Sequence, residues 1–343
     1  MKIGLVGYQG SGKSSVFELL TGTKPDPSKV HLGQVGMATL PDRRFDGLVN
    51  LYKPKKITPA KIELFDTPGL SREHGESNNQ RISVVREANA LVHVIGAHAG
   101  GDPVADARLF EEDLMLADLQ VLQNRIERLE ASVKKNRPDK DASQEELLLL
   151  RPIEQLLQAG KLLRNVEFSA DQEKVTKSFS LLTRKPQLIL LNTSDATVDE
   201  AAVGKLTAAG YRVVAAPLGI ELEVQALDES ERAAFAADFG LKEPSRDRVL
   251  RAIFEATEQI TFFTSDEKEV RAWLLKRGST ALDAAGTIHS DLARGFIRAE
   301  IMAVDDLLRL GSEREVKAAN LYHTVGKDHV MRDGDEIVVR FNV

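Results

Sequence analysis

Short apolar runs separated by longer amphipathic stretches characterise most of the first 260 residues of the chain. Runs of four to six residues rich in valine, isoleucine and leucine are typical of strands buried on both faces of a parallel sheet. Helical segments lie between most of them, which indicates βαβ units and an α/β fold with a mostly parallel sheet. The five predicted strands cover residues 3–6, 62–65, 90–95, 187–191 and 211–215.

Residues 102–183 have no strand pattern, and their leucines recur at helical spacing. Arg137-Pro138-Asp139 interrupts the helical pattern, so we predict two antiparallel helices inserted into the α/β domain. The inserted helices can form an arm with a function of its own, or they can form a solvated hairpin that packs only on itself.

Strand-type runs return after residue 260, at 269–275, 296–304 and 336–341, around one predicted helix at 280–292. Asp333-Gly334-Asp335 has the composition of a hairpin turn before the last strand. The pattern predicts a compact mixed β domain at the end of the chain.

A phosphate-binding motif follows the first predicted strand. Residues 7–14 match G-x-x-x-x-G-K-S and precede a helix predicted at 14–20, which is the context that this P-loop motif requires. Glycines let successive backbone N–H groups wrap a phosphate chain, and the helix N-terminus adds its positive end. We expect Lys13 to bridge the β- and γ-phosphates and Ser14 to bind Mg²⁺. The predicted nucleotide-binding residues of this loop are Gly10, Ser11, Gly12, Lys13, Ser14 and Ser15.

Asp66-Thr67-Pro68-Gly69 ends the second predicted strand. At this position Asp66 can hold Mg²⁺ and the Gly69 N–H can face a γ-phosphate, so both join Lys13 as catalytic candidates. A simple turn would have the same composition, but the upstream P-loop favours the catalytic interpretation.

A third motif, Asn192-Thr193-Ser194-Asp195, follows the fourth predicted strand, where G proteins carry N-K-x-D to read guanine. An Asp carboxylate accepts the N1–H and N2–H groups of guanine, which adenine lacks. Asn192 and Asp195 are present, but Thr193 replaces the lysine, and an Asx-type turn is the alternative. The backbone of Ala215 and Ala216 is predicted to contact the base, and the choice between ATP and GTP stays open.

Composition excludes several classes. The chain has no cysteine, which rules out disulfides and thiolate metal sites and fits a reducing compartment. No apolar run approaches the ~20 residues that span a bilayer, so we expect a cytoplasmic protein without membrane contact. The net charge of −6 disfavours general polyanion binding, so any RNA contact must come from a local patch.

These motifs resemble the YchF or Obg-like ATPase family, a branch of the P-loop GTPase class, over nearly the whole chain. The resemblance implies a G domain (1–101 and 184–259), an inserted helical hairpin (102–183) and a C-terminal TGS domain of ubiquitin-like β-grasp fold (260–343). It also implies a slow, ribosome-associated NTPase that usually prefers ATP. The most specific segments are Glu269-Val270-Arg271-Ala272-Trp273, Gly295-Phe296-Ile297-Arg298-Ala299-Glu300, Gly326-Lys327-Asp328 and Phe341-Asn342-Val343.

Several positions depart from the family pattern. The first switch loop of the family carries a Thr that binds Mg²⁺, and this position falls on Val30, which cannot bind a metal. Gly10 stands where the family has an Asn, a potassium ligand, so potassium dependence is not expected. Asp195 stands where the family usually has Glu.

The group that positions the attacking water is the least defined part of the predicted site. Leu70 stands where many GTPases keep a Gln. A hydrophobic residue at this position is usual in the family, which uses instead a His in the loop before the helical hairpin. His98 lies near that position and is our catalytic candidate, with His74 in the second switch as the other. Either histidine can also be a solvated loop residue.

We therefore expect a monomeric, Mg²⁺-dependent ATPase or GTPase that is slow without a partner and acts as a translation-associated switch on the ribosome. The alternative is a nucleotide-binding ribosome or RNA adaptor with little or no hydrolysis. Val30 favours it, and so does the second switch at residues 74–80, which is shorter here than the Gly-rich second switch of the family.

Overall fold

The computed structural model describes residues 1–29, 31–72, 76–97, 101–135, 140–193, 199–241 and 244–342. The chain divides into two compact units, Met1–Met37 with Glu63–Val249, and Ala38–Ile62 with Leu250–Val343. Within the described ranges, every helix is too short or too polar to cross a lipid bilayer.

The first sheet confirms the predicted α/β fold. The first seven strands are β1 (Lys2–Val6), β2 (Gln34–Thr39), β3 (Lys56–Thr58), β4 (Lys61–Asp66), β5 (Ala90–Gly96), β6 (Gln187–Asn192) and β7 (Val213–Ala216). Six of them form a sheet in the order β2-β4-β1-β5-β6-β7, and the last five of that order are parallel neighbours. All five predicted strands are present, because continuous apolar runs are buried on both sides of such a sheet.

Helices connect and cover these strands. In chain order they are α1 (Lys13–Thr21), α2 (Arg43–Tyr52), α3 (Glu76–Val85), α4 (Pro103–Lys134), α5 (Lys140–Gln158), α6 (Ala170–Thr176), α7 (Glu200–Ala208), α8 (Leu218–Ala226), α9 (Glu229–Asp238) and α10 (Ser245–Ala256). Helices α4 and α5 form the predicted hairpin, and the short connection between them makes them antiparallel. The predicted break at 137–139 lies outside the described residues. The apolar core of the hairpin includes Leu122, Ile126, Leu129, Leu150, Ile153 and Leu157.

A buried carboxylate ties α4 to the rest of the first unit. Asp118 is fully buried and pairs with the Arg86 guanidinium at 2.7 Å, just beyond α3. The same carboxylate accepts hydrogen bonds from the backbone N–H groups of Leu182 and Thr183 and from the Thr183 hydroxyl. Both of its oxygens are thus paired, as a buried charge requires.

The second unit contains the predicted β-grasp sheet. Its remaining elements are β8 (Gln259–Ser265), β9 (Glu269–Lys276), α11 (Ala281–Ile288), α12 (Ser290–Arg294), β10 (Phe296–Ala303), α13 (Val304–Leu310), α14 (Glu313–Ala318), β11 (His323–Val325) and β12 (Asp335–Phe341). The sheet order is β11-β10-β12-β8-β9-β3. The central pair, β12 and β8, is parallel, and antiparallel pairs lie on both sides of it. Helix α11 packs Ala281 and Ala284 onto this sheet.

The segment Ala38–Ile62, which sequence analysis assigned to the G domain, packs within the second unit. It carries α2 and β3, and β3 adds to the edge of the C-terminal sheet by parallel pairing with β9. Arg44 at the start of α2 pairs with Asp42 and with Asp333, both at 2.8 Å. No helical or strand periodicity predicts the pairing of β3 with β9 or of Arg44 with Asp333, because each joins residues more than 200 positions apart.

Two local predictions in this unit need correction. The turn before the last strand is present, with Gly334 at a φ of 92°, but it does not close a hairpin. Strands β11 and β12 lie on opposite sides of β10. The single helix predicted at 280–292 is two helices, because His289 is extended, with a φ of −165°.

Replacing Asp118 tests the link between the hairpin and α3. We expect Asp118→Ala to lower the free energy of unfolding by ~3–5 kcal/mol, because it removes the carboxylate that balances the Arg86 charge and accepts from two buried backbone N–H groups. Glu112→Ala, on the exposed face of the same helix, should change it by less than ~0.5 kcal/mol. Urea unfolding followed by circular dichroism measures both, and equal values for the two variants would contradict the assignment.

Candidate nucleotide-binding site

The loop between β1 and α1 is held in a conformation that requires glycine. Gly7, Gly10 and Gly12 have φ values of 140°, 77° and 102°, which L side chains rarely adopt. A Cβ on Gly7 would also lie 2.5 Å from the Val94 carbonyl oxygen, and one on Gly12 would lie 2.4 Å from Nδ2 of Asn192. The predicted P-loop is thus a constrained turn at a helix N-terminus, as phosphate binding demands.

Lys13, the first residue of α1, is buried beneath this loop. Its Nζ donates a hydrogen bond to the Tyr8 carbonyl at 2.8 Å. Burial lowers the pKa of Lys13 to about 8, against the opposing effect of the Asp66 carboxylate, and the positive charge of Arg81 lowers it further. The ammonium is therefore held in a poorly solvated position that bound phosphate would favour.

Ser14 and Asp66 form the predicted metal pair. The Ser14 hydroxyl donates to Oδ2 of Asp66 at 2.8 Å. The other oxygen, Oδ1, is buried without a protein hydrogen-bond partner, and burial raises the pKa of this carboxyl while Ser14 and Lys13 oppose the rise. An orphaned carboxylate oxygen beside a hydroxyl fits Mg²⁺, which takes few protein ligands and completes its shell with phosphate oxygens and water. Among the described residues no cluster of three His, Cys, Asp or Glu side chains offers another metal site.

The second switch begins against the P-loop. The Leu70 N–H donates to the Gly7 carbonyl at 3.1 Å, and the Gln9 N–H donates to the Leu70 carbonyl at 2.9 Å. Gly69 lies so close to Lys13 that a Cβ there would be 2.7 Å from Nζ. Leu70 itself is buried in the core, so the side chain at this position cannot position water.

These elements line one cleft of about 270 Å³. Three basic residues that were not predicted from the sequence also line it: Lys29 and His31 in the first switch loop, and Arg81 on α3. Lys29 and His31 flank Val30, the predicted switch position, which itself lies outside the described residues. Their place next to that position in the sequence is the signal that could have identified them. Nothing in the sequence indicates which face of α3 is directed at the cleft.

The base-reading motif is described only in part. Asn192 is buried, and its Nδ2 donates to the Ser11 carbonyl at 3.1 Å, so it braces the P-loop from the end of β6. The Thr193 N–H donates to the carbonyl of Ala216, which with Ala215 is buried at the end of β7. Asp195 lies outside the described residues, and its base-reading role stays a prediction.

The remaining predicted residues have different outcomes. Gly10 has open space where a Cβ would be, although its φ favours glycine. Ser11 is buried with an unpaired hydroxyl, whereas Ser15 is partly exposed in the first turn of α1. Both histidine candidates, His98 and His74, lie outside the described residues, and their roles stay predictions.

A P-loop nucleotide-binding domain of the GTPase class is defined by three features together: the glycine-constrained loop, the buried lysine and the Ser–Asp pair on a parallel sheet.

Two family models match the chain. MMR_HSR1, described as 50S ribosome-binding GTPase, matches residues 2–125, and YchF-GTPase_C, described as a protein of unknown function (DUF933), matches residues 259–342. Similar proteins include the ribosome-binding ATPase YchF of Bacillus subtilis (35% identical, 99% of each chain) and Obg-like ATPase 1 of Oryza sativa subsp. japonica (33% identical, 100% of this chain and 92% of the relative). A solved structure, the Schizosaccharomyces pombe YchF GTPase, is 27% identical and superposes with a TM-score of 0.82, covering 99% of this chain and 97% of the other. The chain belongs to the YchF family.

The depressed pKa of Lys13 predicts proton uptake on nucleotide binding. Above pH 8 part of the free protein carries a neutral Lys13 amine, and bound polyphosphate raises the pKa of that amine. Binding of ADP or GDP at pH ~8.5 should therefore take up protons, and binding at pH ~7 should take up far fewer, since Lys13 is then already charged. Calorimetric titrations in two buffers of different ionisation enthalpy measure the uptake.

The control is Lys13→Arg, whose guanidinium stays charged across this range. It should lose the uptake that appears at the higher pH. If the variant takes up as many protons as the wild type, another group is responsible.

Proposed function

We propose that this protein is a slow, Mg²⁺-dependent purine nucleoside triphosphatase that acts as a regulatory switch on the ribosome. The observation that carries the proposal is the convergence of Lys13, Ser14, Asp66 and Gly69 on one cleft. In phosphoryl transfer the protein contributes mainly positioning and charge neutralisation, which are the roles available to these groups.

Each group has a definite role in this proposal. Backbone N–H groups from Gly10 to Ser15 hold the phosphates, and Lys13 leaves the Tyr8 carbonyl to bridge the β- and γ-phosphates. Ser14 and Asp66 would hold Mg²⁺, which would neutralise phosphate charge when bound. The Gly69 N–H contacts the γ-phosphate, so loss of that phosphate changes the contacts of the second switch.

The names of the relatives support a ribosome partner. Several are called ribosome-binding ATPase, and the model matching residues 2–125 is described as a 50S ribosome-binding GTPase. Those names differ over the nucleotide, and Asp195, the candidate base reader, lies outside the described residues. The proposed substrate is therefore ATP or GTP. We propose further that the protein acts as a cytoplasmic monomer.

The position of Leu70 supports the proposal of slow hydrolysis. This side chain is 1% exposed and packs with Val6 and Tyr8, on the side of the backbone away from the cleft. A GTPase that lacks a group to orient water keeps its binding but loses rate. The same observation favours the second candidate function, a nucleotide-binding ribosome or RNA adaptor with little or no hydrolysis.

Single-turnover hydrolysis separates the two candidates. With protein in excess over ATP or GTP, we expect a rate that depends on Mg²⁺ and falls at least ~100-fold in Lys13→Ala, which loses the bridging charge. Lys205→Ala, an exposed lysine on α7 outside the cleft, should keep the wild-type rate. A wild-type rate no higher than that of Lys13→Ala would leave the adaptor function.

Co-sedimentation with ribosomes tests the partner. We expect binding at low salt that differs between a non-hydrolysable triphosphate and a diphosphate, because a switch must bind its partner with different affinity in its two states. Binding that is independent of nucleotide would contradict the switch. No binding even at low salt would contradict the ribosome as partner.

A further inference from the structure

Arg81 lies on the cleft-facing side of α3, twelve residues after the Gly69 that begins the second switch. Its side chain is half-buried, and Nη1 of the guanidinium donates to the Gly69 carbonyl oxygen at 2.8 Å. The hydrogen bond holds a positive charge against the backbone loop whose N–H is proposed to contact the γ-phosphate.

Lys13, Gly69 and Arg81 are consecutive neighbours along the floor of the cleft. A Cβ on Gly69 would be 2.7 Å from the Lys13 ammonium, and the Arg81 guanidinium contacts the carbonyl of the same glycine. The two cations are close enough for the charge of Arg81 to lower the pKa of Lys13. Arg81 therefore faces the terminal end of the phosphate chain, where Lys13 bridges the last two phosphates.

Two other basic side chains near the P-loop, those of Lys29 and Arg72, are each paired with a described carboxylate. Lys29 lies 3.7 Å from Asp26, and the Arg72 guanidinium makes two hydrogen bonds of 2.8 Å to Asp106. Arg81 differs in that its guanidinium lies beside the Lys13 position, and rotation about its long side chain can move it from a backbone carbonyl to a phosphate oxygen.

We propose that Arg81 is a catalytic residue, an arginine supplied by the chain itself that neutralises the charge developing on the γ-phosphoryl group and its leaving oxygen. The inference rests on the proposed NTPase function. In the step it assists, the oxygen of a water molecule forms a bond to the γ-phosphorus as the bond from that phosphorus to the β–γ bridging oxygen breaks. The bond's electron pair stays on the nucleoside diphosphate, and a water proton is released, giving inorganic phosphate.

This role compensates for the side chain at position 70. Leu70 is directed into the core and can neither orient water nor donate to phosphate. A guanidinium presents a planar fork of donors that matches two phosphoryl oxygens, and arginines in this role accelerate phosphoryl transfer by ~10³–10⁵-fold in other P-loop enzymes. The competing role is a structural clamp, in which Arg81 only fixes the Gly69 carbonyl.

Three variants separate charge from clamp in the full-length protein. Arg81→Ala loses both the positive charge and the hydrogen bond to the Gly69 carbonyl. Arg81→Gln keeps a donor for that carbonyl but loses the charge. Arg81→Lys keeps the charge without the planar fork of donors. We expect single-turnover hydrolysis of ATP or GTP to fall at least ~100-fold in the Ala and Gln variants and less in Lys. Binding of ADP or GDP should weaken by no more than ~3-fold, because the charge acts mainly in the transition state.

Two readouts respond to a catalytic arginine but not to a clamp. Low concentrations of guanidinium ion should partly restore the rate of Arg81→Ala. The complex of diphosphate with aluminium fluoride, which resembles the transferring phosphoryl group, should form in the wild type and be lost in Arg81→Gln. Arg232→Ala is the matched control. Arg232 also donates to backbone carbonyls, those of Leu227 and Gln225, and it lies on α9, which does not line the cleft.

The outcomes are distinct. A wild-type rate in Arg81→Gln, or a rate loss matched by an equal loss of diphosphate affinity, makes Arg81 a clamp and overturns the inference while leaving the NTPase function intact. A wild type that hydrolyses no faster than Lys13→Ala removes the proposed function and this inference with it. If Arg81→Ala does not fold, the Gln and Lys variants decide.

Discussion

The candidate site depends on two backbone hydrogen bonds that join the P-loop to the second switch, Leu70 N–H to Gly7 carbonyl and Gln9 N–H to Leu70 carbonyl. They extend the parallel pairing of β1 and β4 beyond the ends of these strands, as a short bridge between Tyr8 and Leu70. The distance between the phosphate loop and the second switch is therefore set by sheet geometry.

This pairing also determines what each neighbouring residue can do. Successive residues in an extended segment face opposite sides, so when Leu70 enters the core, Gly69 is directed to the cleft and meets Lys13. A polar side chain at position 70 would be buried without a partner at a cost of ~1–3 kcal/mol, which explains the leucine. Groups that act on water or on the leaving phosphate must then come from other positions, such as α3, the first switch loop or the predicted histidines His74 and His98.

Features with a local cause could be predicted from the sequence. The five buried strands, the helical hairpin and the P-loop follow from apolar periodicity and glycine spacing, because both report backbone constraints. Strand β3 has only three residues, and it pairs with a strand more than 200 positions away, so no local pattern marks it. The failed hairpin prediction at Asp333-Gly334-Asp335 has the same origin: turn residues predict a turn but do not choose which strands pair.

The same distinction applies within the site. The proposed phosphate ligands are backbone N–H groups, and the glycines that permit this loop conformation are visible in the sequence, so the conformation of the loop could be predicted. Other side chains of the site come from elements whose orientation is tertiary: Arg81 and His31 line the cleft, and Asn192 braces the P-loop. Nucleotide binding and hydrolysis can therefore change separately, because a side chain such as that of Leu70 can differ while the backbone of the phosphate loop keeps its form. A P-loop fold is therefore strong evidence for nucleotide binding, and the rate has to be argued from the side chains that enter the cleft.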